Sequence, residues 1–416
     1  MGPKSKLDKN VVLVAIAVIC HCFNIAHSQS ATPLYGSVRD LKDGSVIPFA
    51  NIYLKLTGTG SVSNSKGQFK IWVEPSQIND SLMVSFIGYK THKQVVSSIT
   101  LSDSVTVWLT EQPVILQEVS ITGETPFTIL KKSLKTTKLN SLSPLILNCY
   151  YREFVSKNGR YTKFADALVG YYIEYRTNKK AKVEVSVSES RAKYVPYKIE
   201  TKMGSDIDIP QQLDIEVMPG LFDTERKLDN VFKDGDDYVF DLLETSDGIG
   251  NEFYRITFKP KSGIGKILYE GEFYVYQESG IIYSATYGLP AENIQYTKTF
   301  NLLGTKIKPV GFKAYVQYGI LNDKCYPKYS KVSASLQVFD KKGTDITHAF
   351  TTEMIVNNIH YENIKPFNSA EIWHKKSIYK RGNNYKSNFW EGRRGFLATE
   401  EEQKIIESLT NNNSSK

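Results

Sequence analysis

Residues 34–73, LYGSVRDLKDGSVIPFANIYLKLTGTGSVSNSKGQFKIWV, decide how the front of this chain folds. Near their end the apolar residues recur with period two: Phe69, Ile71 and Val73 alternate with Lys70 and Trp72. The same alternation returns downstream. Leu82, Val84 and Phe86 alternate with Met83 and Ser85, and Val105, Val107 and Leu109 with Thr106, Trp108 and Thr110. Short alternating runs mark strands with one buried face. Turn signals part them at Lys42-Asp43-Gly44, Thr57-Gly58-Thr59-Gly60, Lys66-Gly67 and Ile87-Gly88. Several short strands at that spacing predict a sandwich or barrel, and residues 31–112 have the length of one small β-sandwich.

The remainder must hold at least one more domain, since 416 residues leave room for two or three. The hydrophobic share of 41% supports packed cores, and 27 Gly with 15 Pro are too few for a low-complexity chain. Aromatics at 12% lean the composition toward strands. The fold class expected is mainly β: the sandwich, then a larger antiparallel sheet domain with a few short helices.

Residues 1–28 read as an export signal. Lys4, Lys6 and Lys9 precede the apolar run Val11–Cys20, and Ala26-His27-Ser28 offers small residues two apart for cleavage after Ser28. Retention as an anchor is the alternative, although the run is shorter than the roughly 20 apolar residues a helical span takes. Cys20 and Cys22 follow the run, but Ile19 and His21 stand where lipoprotein processing needs a small residue. Removing the signal leaves 49 basic against 43 acidic residues. That mild excess suits solubility or weak attraction to an acidic surface, and it lacks the clustered Lys and Arg of a nucleic-acid footprint. Cys149 and Cys325 remain, far apart, as a permitted disulfide or two buried thiols.

The sandwich residues also carry a family likeness. Gly36-x-Val38-x-Asp40, Pro48-Phe49-Ala50-Asn51, Ser65-Lys66-Gly67-Gln68-Phe69, Phe86-Ile87-Gly88-Tyr89 and the closing Leu116-Gln117-Glu118-Val119 together resemble the carboxypeptidase-regulatory-like module. The resemblance covers about a fifth of the chain. It implies a prealbumin-like β-sandwich that recurs in exported proteins of Gram-negative bacteria. Gly36, Asp40, Pro48, Gly67, Phe69, Phe86, Gly88 and Tyr89 are then fold determinants, not chemistry. Gly67 and Gly88 suit tight turns at positive φ, Asn64 suits a side-chain-capped loop, and Phe86 and Tyr89 supply area to a small core.

Pro113 and Pro126 bracket the exit from the sandwich, within a linker of residues 113–144. Within it FTILKKSLKTTKLN (residues 127–140) predicts a short amphipathic helix whose Lys131, Lys132, Lys135 and Lys138 form a basic face. Residues 145–362 return to strands. Lys157-Asn158-Gly159 is a hairpin signal, Glu278-Ser279-Gly280 joins two strands and Lys342-Gly343 ends another, so a large meandering antiparallel sheet is expected. Residues 201–237, acidic and polar, read as an inserted loop. Tyr254-x-Ile256-x-Phe258 and Tyr269-Glu270-Gly271-x-Phe273-Tyr274-Val275 resemble an uncharacterised exported bacterial family and lipoprotein-carrier-like sheets. Relatives of that family place an outer-membrane barrel next, and the sequence stops at Lys416 without one. The tail, residues 363–416, holds Phe389-Trp390-Glu391 and then Thr399 with Glu402, a capping box opening a helix on Ile405, Ile406 and Leu409.

Chemistry is sparse. No HExxH, G-x-S-x-G or phosphate cradle occurs, and Gly263-x-Gly265 lacks its third glycine. Of His92, His348, His360 and His374, only the last has metal-like spacing, with Glu371, and it reads as a surface pair. Asp234-Gly235-Asp236-Asp237 lacks a calcium frame and reads as a solvated turn, as do Asp206 and Asp208. Catalytic residues, metal ligands and cofactors are therefore expected to be none. Tyr269, Tyr274, Tyr276, Tyr283 and Tyr287 are the ligand-facing candidates, for a sugar, peptide or lipid, against the plainer reading of a half-buried aromatic sheet face. The expected function is a non-enzymatic, exported binding or accessory protein of the periplasm or outer membrane of a Gram-negative bacterium. Its sandwich would be an interaction or spacer module and its sheet would bind a partner protein, lipid or glycan, with no nucleic acid. Peripheral membrane association is open. A lipid or lipoprotein carrier and an envelope hydrolase with a noncontiguous site are the rivals.

Overall fold

The alternating runs pair as two small sheets. The computed structural model describes residues 31–56, 60–101, 103–112, 123–176, 179–194, 199–200, 206–207, 215, 217–224, 228, 233, 235–247, 250–302, 305–339, 345–374, 378–383 and 397–411. The expected signal, Thr57-Gly58-Thr59, Leu116-Gln117-Glu118-Val119, Lys342-Gly343, Asp208, Asp234 and Phe389-Trp390-Glu391 lie outside them. Strands β1 (Thr32–Asp40), β2 (Asn51–Leu54), β3 (Gly60–Val62), β4 (Gln68–Val73), β5 (Ser81–Ser85), β6 (His92–Val95) and β7 (Val105–Leu109) form sheets ordered β4-β1-β7 and β3-β2-β5-β6. β1 runs antiparallel to β4 and parallel to β7. Between the sheets Leu34, Val38, Ile52, Leu54, Phe69, Ile71, Leu82, Val84, Val107 and Leu109 make one core. Gly36 is required by a close approach, because a Cβ there would sit 2.3 Å from the Phe69 ring and 2.7 Å from Val105 O. Gly67 and Gly88 take φ of 72° and 83°.

The linker helix α1 (Pro126–Leu139) starts at Thr125, whose Oγ1 accepts from Thr128 N at 3.2 Å. Leu130, Ser133, Leu134 and Thr137 are its buried stripe, and Leu139, its last residue, is 70% exposed. Lys131, Lys132, Lys135 and Lys138 are exposed as expected.

Thirteen further strands follow: β8 (Leu145–Lys157), β9 (Arg160–Arg176), β10 (Lys179–Tyr194), β11 (Ile199–Glu200), β12 (Asp206–Ile207), β13 (Tyr238–Ser246), β14 (Glu252–Pro260), β15 (Glu270–Tyr276), β16 (Ile282–Gly288), β17 (Phe300–Leu302), β18 (Thr305–Leu321), β19 (Lys324–Phe339) and β20 (Asp345–His360). All but the β11–β12 pair join one 11-stranded sheet ordered β10-β9-β8-β20-β19-β18-β16-β15-β14-β13, with β17 beside β18. Hairpins build it as predicted. Asn158 and Gly159 turn β8 into β9 at φ of 47° and 76°, and Asn322 and Asp323 turn β18 into β19 at 50° and 59°. Both central residues at positive φ match the right-handed twist of the strands.

Topology corrects one expectation. β10 and β13 lie at opposite edges of the sheet, so the chain between them must cross a face. Its described residues Ile215, Met218, Leu221, Phe222 and Leu228 are buried in the core of the sheet domain. The described apolar residues of 201–237 thus cover the sheet, where the sequence suggested a polar inserted loop. The tail helix α2 (Glu400–Asn411) opens with the expected capping box: Glu402 N donates to Thr399 Oγ1 at 3.1 Å and Thr399 N to Glu402 Oε2 at 2.8 Å.

The close packing at Gly36 predicts that Gly36→Ala lowers stability by about 2 kcal/mol or more, read as a lower urea midpoint at unchanged slope.

Candidate functional site

The two faces of the large sheet differ. Its inner face is apolar. Leu147, Cys149, Val169, Tyr171, Phe273, Val275, Ala314, Val316, Val332 and Met354 share one core with Leu130 and Leu134 of α1 and the crossover residues. Hydrogen bonds pin this cover at several points, among them Leu142 N to Cys325 O at 2.8 Å and Cys325 N to Asn140 O at 2.9 Å. Thr137 Oγ1 accepts from Ile282 N at 2.8 Å, and Tyr318 and Tyr171 hydroxyls donate to the carbonyls of Phe222 and Ile215 at 2.7 and 3.1 Å. Cys149 and Cys325 are buried thiols without a disulfide, and Cys325 Sγ donates to Thr137 O at 3.2 Å.

The outer face carries the sandwich and α2. Phe49 is the wedge. It is a bulky residue at φ 63°, a conformation that costs about 1–3 kcal/mol unless its surroundings impose it. Ser63 imposes it: Phe49 N donates to Ser63 O at 3.0 Å, while the Ser63 hydroxyl accepts from Ala50 N and donates to Ile47 O, both at 2.9 Å. The turned ring stacks on Tyr315 at 5.2 Å and lies 5.8 Å from Tyr329, with Lys331 Nζ 5.5 Å from its centre. Around this wedge Gly88 N donates to Ser246 O at 3.2 Å, Thr91 N to Asp247 O at 3.3 Å, and Asn64 Nδ2 to Leu397 O at 3.2 Å.

Beneath the wedge lies a buried charge cluster. Glu353 pairs with Arg152 at 2.7 Å and with Lys331 at 2.8 Å, and Arg152 reaches Glu402 of α2 at 3.4 Å. Burial alone would raise the Glu353 carboxyl, but Arg152 and Lys331 outweigh it and hold it down at about 2. Glu153, next in sequence, points to the opposite face. Burial pushes its carboxyl up to about 7, against the opposing pull of the Tyr151 and Tyr379 hydroxyls and Lys163.

Beside the wedge is a cleft of about 240 Å³ between sandwich and sheet, lined among others by Asn51, Tyr53, Asp247, Tyr276, Tyr283 and Lys328. Asn51 spans the junction, its Nδ2 donating to Tyr283 Oη at 2.5 Å and its Oδ1 accepting from Lys328 Nζ at 3.0 Å. Gln317 Nε2 also donates to Tyr283 Oη, at 2.7 Å. Burial lowers the Lys328 amine to about 8. A larger, open recess of about 670 Å³ separates β1 from α2, with Arg39, Lys66, Lys404 and Glu400 of mixed charge on its walls.

The five tyrosines singled out in the sequence do not share a surface. Tyr269 and Tyr287 pack with Phe312 at the inner face, 5.7–6.4 Å between ring centres. Tyr274, Tyr276 and Tyr283 lie at the outer face, and only Tyr276 and Tyr283 of the five line the cleft. Of the motif residues, Asp40 accepts from Lys42 N and the Tyr89 hydroxyl at 2.6 and 2.7 Å, and Asn64 Oδ1 accepts from Lys66 N and Gln68 N at 2.9 and 3.0 Å. Phe49, Asn51 and Gly88 both shape the sandwich and fix it to the sheet, a second use the sequence did not reveal. Lys328 was also missed. Its only signal is Pro327, since proline inside a strand marks a bulge, and the pairing does shift there.

Histidines stay dispersed. His348 is buried, and burial with Lys157 and Lys163 pulls it down to about 4. His360 lies 3.1 Å from Asn148 Nδ2, and His374 is exposed. Among the described residues no three of His, Cys, Asp and Glu gather where they could hold a metal ion, and no helix is long and apolar enough to cross a membrane.

Residues 34–121 match the family model of the CarboxypepD_reg-like domain. The N-terminal module is a CarboxypepD_reg-like domain. Among curated proteins none matches the chain. Among solved structures it is similar to a DUF1329 family protein from Desulfovibrio piger, with 12% identity, TM-score 0.25, and 60% of this chain and 100% of that one covered. It is also similar to a LolA superfamily protein from Nitrosomonas europaea, with 9% identity, TM-score 0.20, and coverage of 55% and 94%. Lipovitellin, in a structure describing its lipid–protein interactions, gives 9% identity, TM-score 0.24, and coverage of 62% and 29%.

Glu153 predicts a pH dependence. Its folded carboxyl titrates near 7 against 4.5 as the unperturbed value, so its contribution to stability is full below 4.5 and lost as pH rises through 7. From pH 5 to pH 8 the wild type should lose about 2 kcal/mol relative to Glu153→Gln, measured by urea unfolding at both pH values.

Proposed function

We propose that this chain is a non-enzymatic, exported binding protein of the bacterial cell envelope, in which the CarboxypepD_reg-like domain and the sheet together hold a small ligand. The reading rests on one observation: the cleft takes its walls from both bodies, with Asn51 of the domain bonded to Tyr283 and Lys328 of the sheet. Concave sites at domain boundaries, with a few convergent polar groups, are where small ligands bind. The domain then serves as half of a binding site, held rigidly by Phe49, and not as a loose spacer. The ligand would come from the envelope's small molecules, glycans or lipids.

A lipid carrier is the second reading. The continuous apolar inner face under α1 favours it, since apolar side chains covered by a helix can receive an acyl chain if that cover moves. An envelope hydrolase would have to work with Asp247 and Lys328, the titratable groups that line the cleft, because Glu153 and His348 are buried outside both recesses named above.

The full chain, produced with residues 1–28, is expected in the periplasmic or membrane fraction, shortened at Ser28. Native mass spectrometry should show a retained small mass. Phe49→Ala should cost about 3 kcal/mol and release that mass by loosening the junction. Recovery in the cytoplasm at full length, or protein with no retained mass in either form, counts against the proposal. A retained acyl lipid insensitive to Phe49→Ala favours the carrier.

A further inference from the structure

We propose that the cleft between the CarboxypepD_reg-like domain and the sheet binds a small zwitterion, its anionic group at Lys328 and its cationic group toward Asp247. This rests on the cleft being the ligand site, and adds the chemical class.

Lys328 supplies the first half. Its ammonium has one hydrogen-bond partner among the described residues, the neutral Asn51 Oδ1, and no carboxylate. A half-buried ammonium with no counter-charge beside it is poorly compensated, so an arriving anion gains free energy there. The same end offers a second donor. Tyr283 Oη already accepts from Asn51 and Gln317, and a phenol has one proton to give. An ammonium and a hydroxyl proton, fixed side by side by Asn51, suit a carboxylate or phosphate oxygen.

Asp247 supplies the second half. It is 8% exposed, lines the same cleft, and its charge is felt by the Tyr53, Tyr276 and Tyr283 hydroxyls. Asn251 N and Nδ2 donate to the Asp247 carboxylate at 3.1 and 2.6 Å beside the turn between β13 and β14, whereas Lys328 lies on β19 against Asn51, so the two charges sit on different elements of the cleft wall. Tyr53 and Tyr276 flank the acidic part, and aromatic faces also favour a ligand cation. A simple anion would leave Asp247 repelling it, a simple cation would meet Lys328, and a neutral sugar would use neither charge. A volume of about 240 Å³ limits the occupant to a small molecule or head group.

Calorimetric titration of the full chain at pH 7 tests this. The zwitterions are L-alanine, glycylglycine and phosphoethanolamine, which separate an amino acid, a peptide and a lipid head group as sources. Propionate, ethylammonium and glucose are the controls. At least one zwitterion should bind, and the controls should bind at least about tenfold more weakly. Lys328→Met, with a wild-type urea midpoint, should weaken that zwitterion by a similar factor. Glucose binding without any zwitterion overturns the class and leaves the cleft as the site. Zwitterion binding unchanged by Lys328→Met, or no binding by any probe, overturns the proposal. Loss of the broader reading would show separately, as no retained mass in envelope-purified protein.

Discussion

Three parts of the molecule meet at one buried carboxylate. Glu353, in the middle of the large sheet, holds Arg152 and Lys331. Arg152 reaches α2 through Glu402, and Lys331 lies over the Phe49 ring of the CarboxypepD_reg-like domain. A buried ion cluster contributes little net stability against well-packed apolar residues, but loss of one member leaves a charge stranded at a cost of about 3–5 kcal/mol. The cluster therefore works as a specificity device. It makes one placement of domain, sheet and tail helix much better than its neighbours.

That placement makes the cleft. Phe49 sits left-handed only because Ser63 clamps its turn, and the turn aims Asn51 at Tyr283 and Lys328. The motif Pro48-Phe49-Ala50-Asn51 is thus read twice, once by the sandwich and once by the surface it meets. On the reverse side the same sheet is apolar and covered by α1 and the crossover. One sheet carries a polar junction on one face and a greasy core on the other.

The local half of this architecture was legible in the sequence. Period-two runs placed the strands, Asn158-Gly159 placed a hairpin, Thr399 and Glu402 placed a cap, and the amphipathic run placed α1, because each depends on residues a few positions apart. Legibility ended where partners are distant. Nothing near Phe49 announces Tyr315 some 266 positions away, and nothing near Lys328 announces Asn51. The five tyrosines looked like one cluster because their strands are neighbours; a strand sends alternate residues to opposite faces, and a bulge between Tyr274 and Val275 shifts the count. The acidic stretch 201–237 misled for a related reason: average polarity hid the few apolar residues that pack.

The sheet also has a seam. β8 and β20 pair along their lengths, from Ile146 with His360 to Lys157 with His348, joining the two ends of the sheet domain. Every other strand of the 11-stranded sheet can find a neighbour through a nearby hairpin or a short connection. This one ladder must close a loop of about two hundred residues, an entropic toll that precedes any gain from contact. Until β20 joins β8 the sheet is two separate ribbons with bare edges, and assembly of the whole waits on that one pairing.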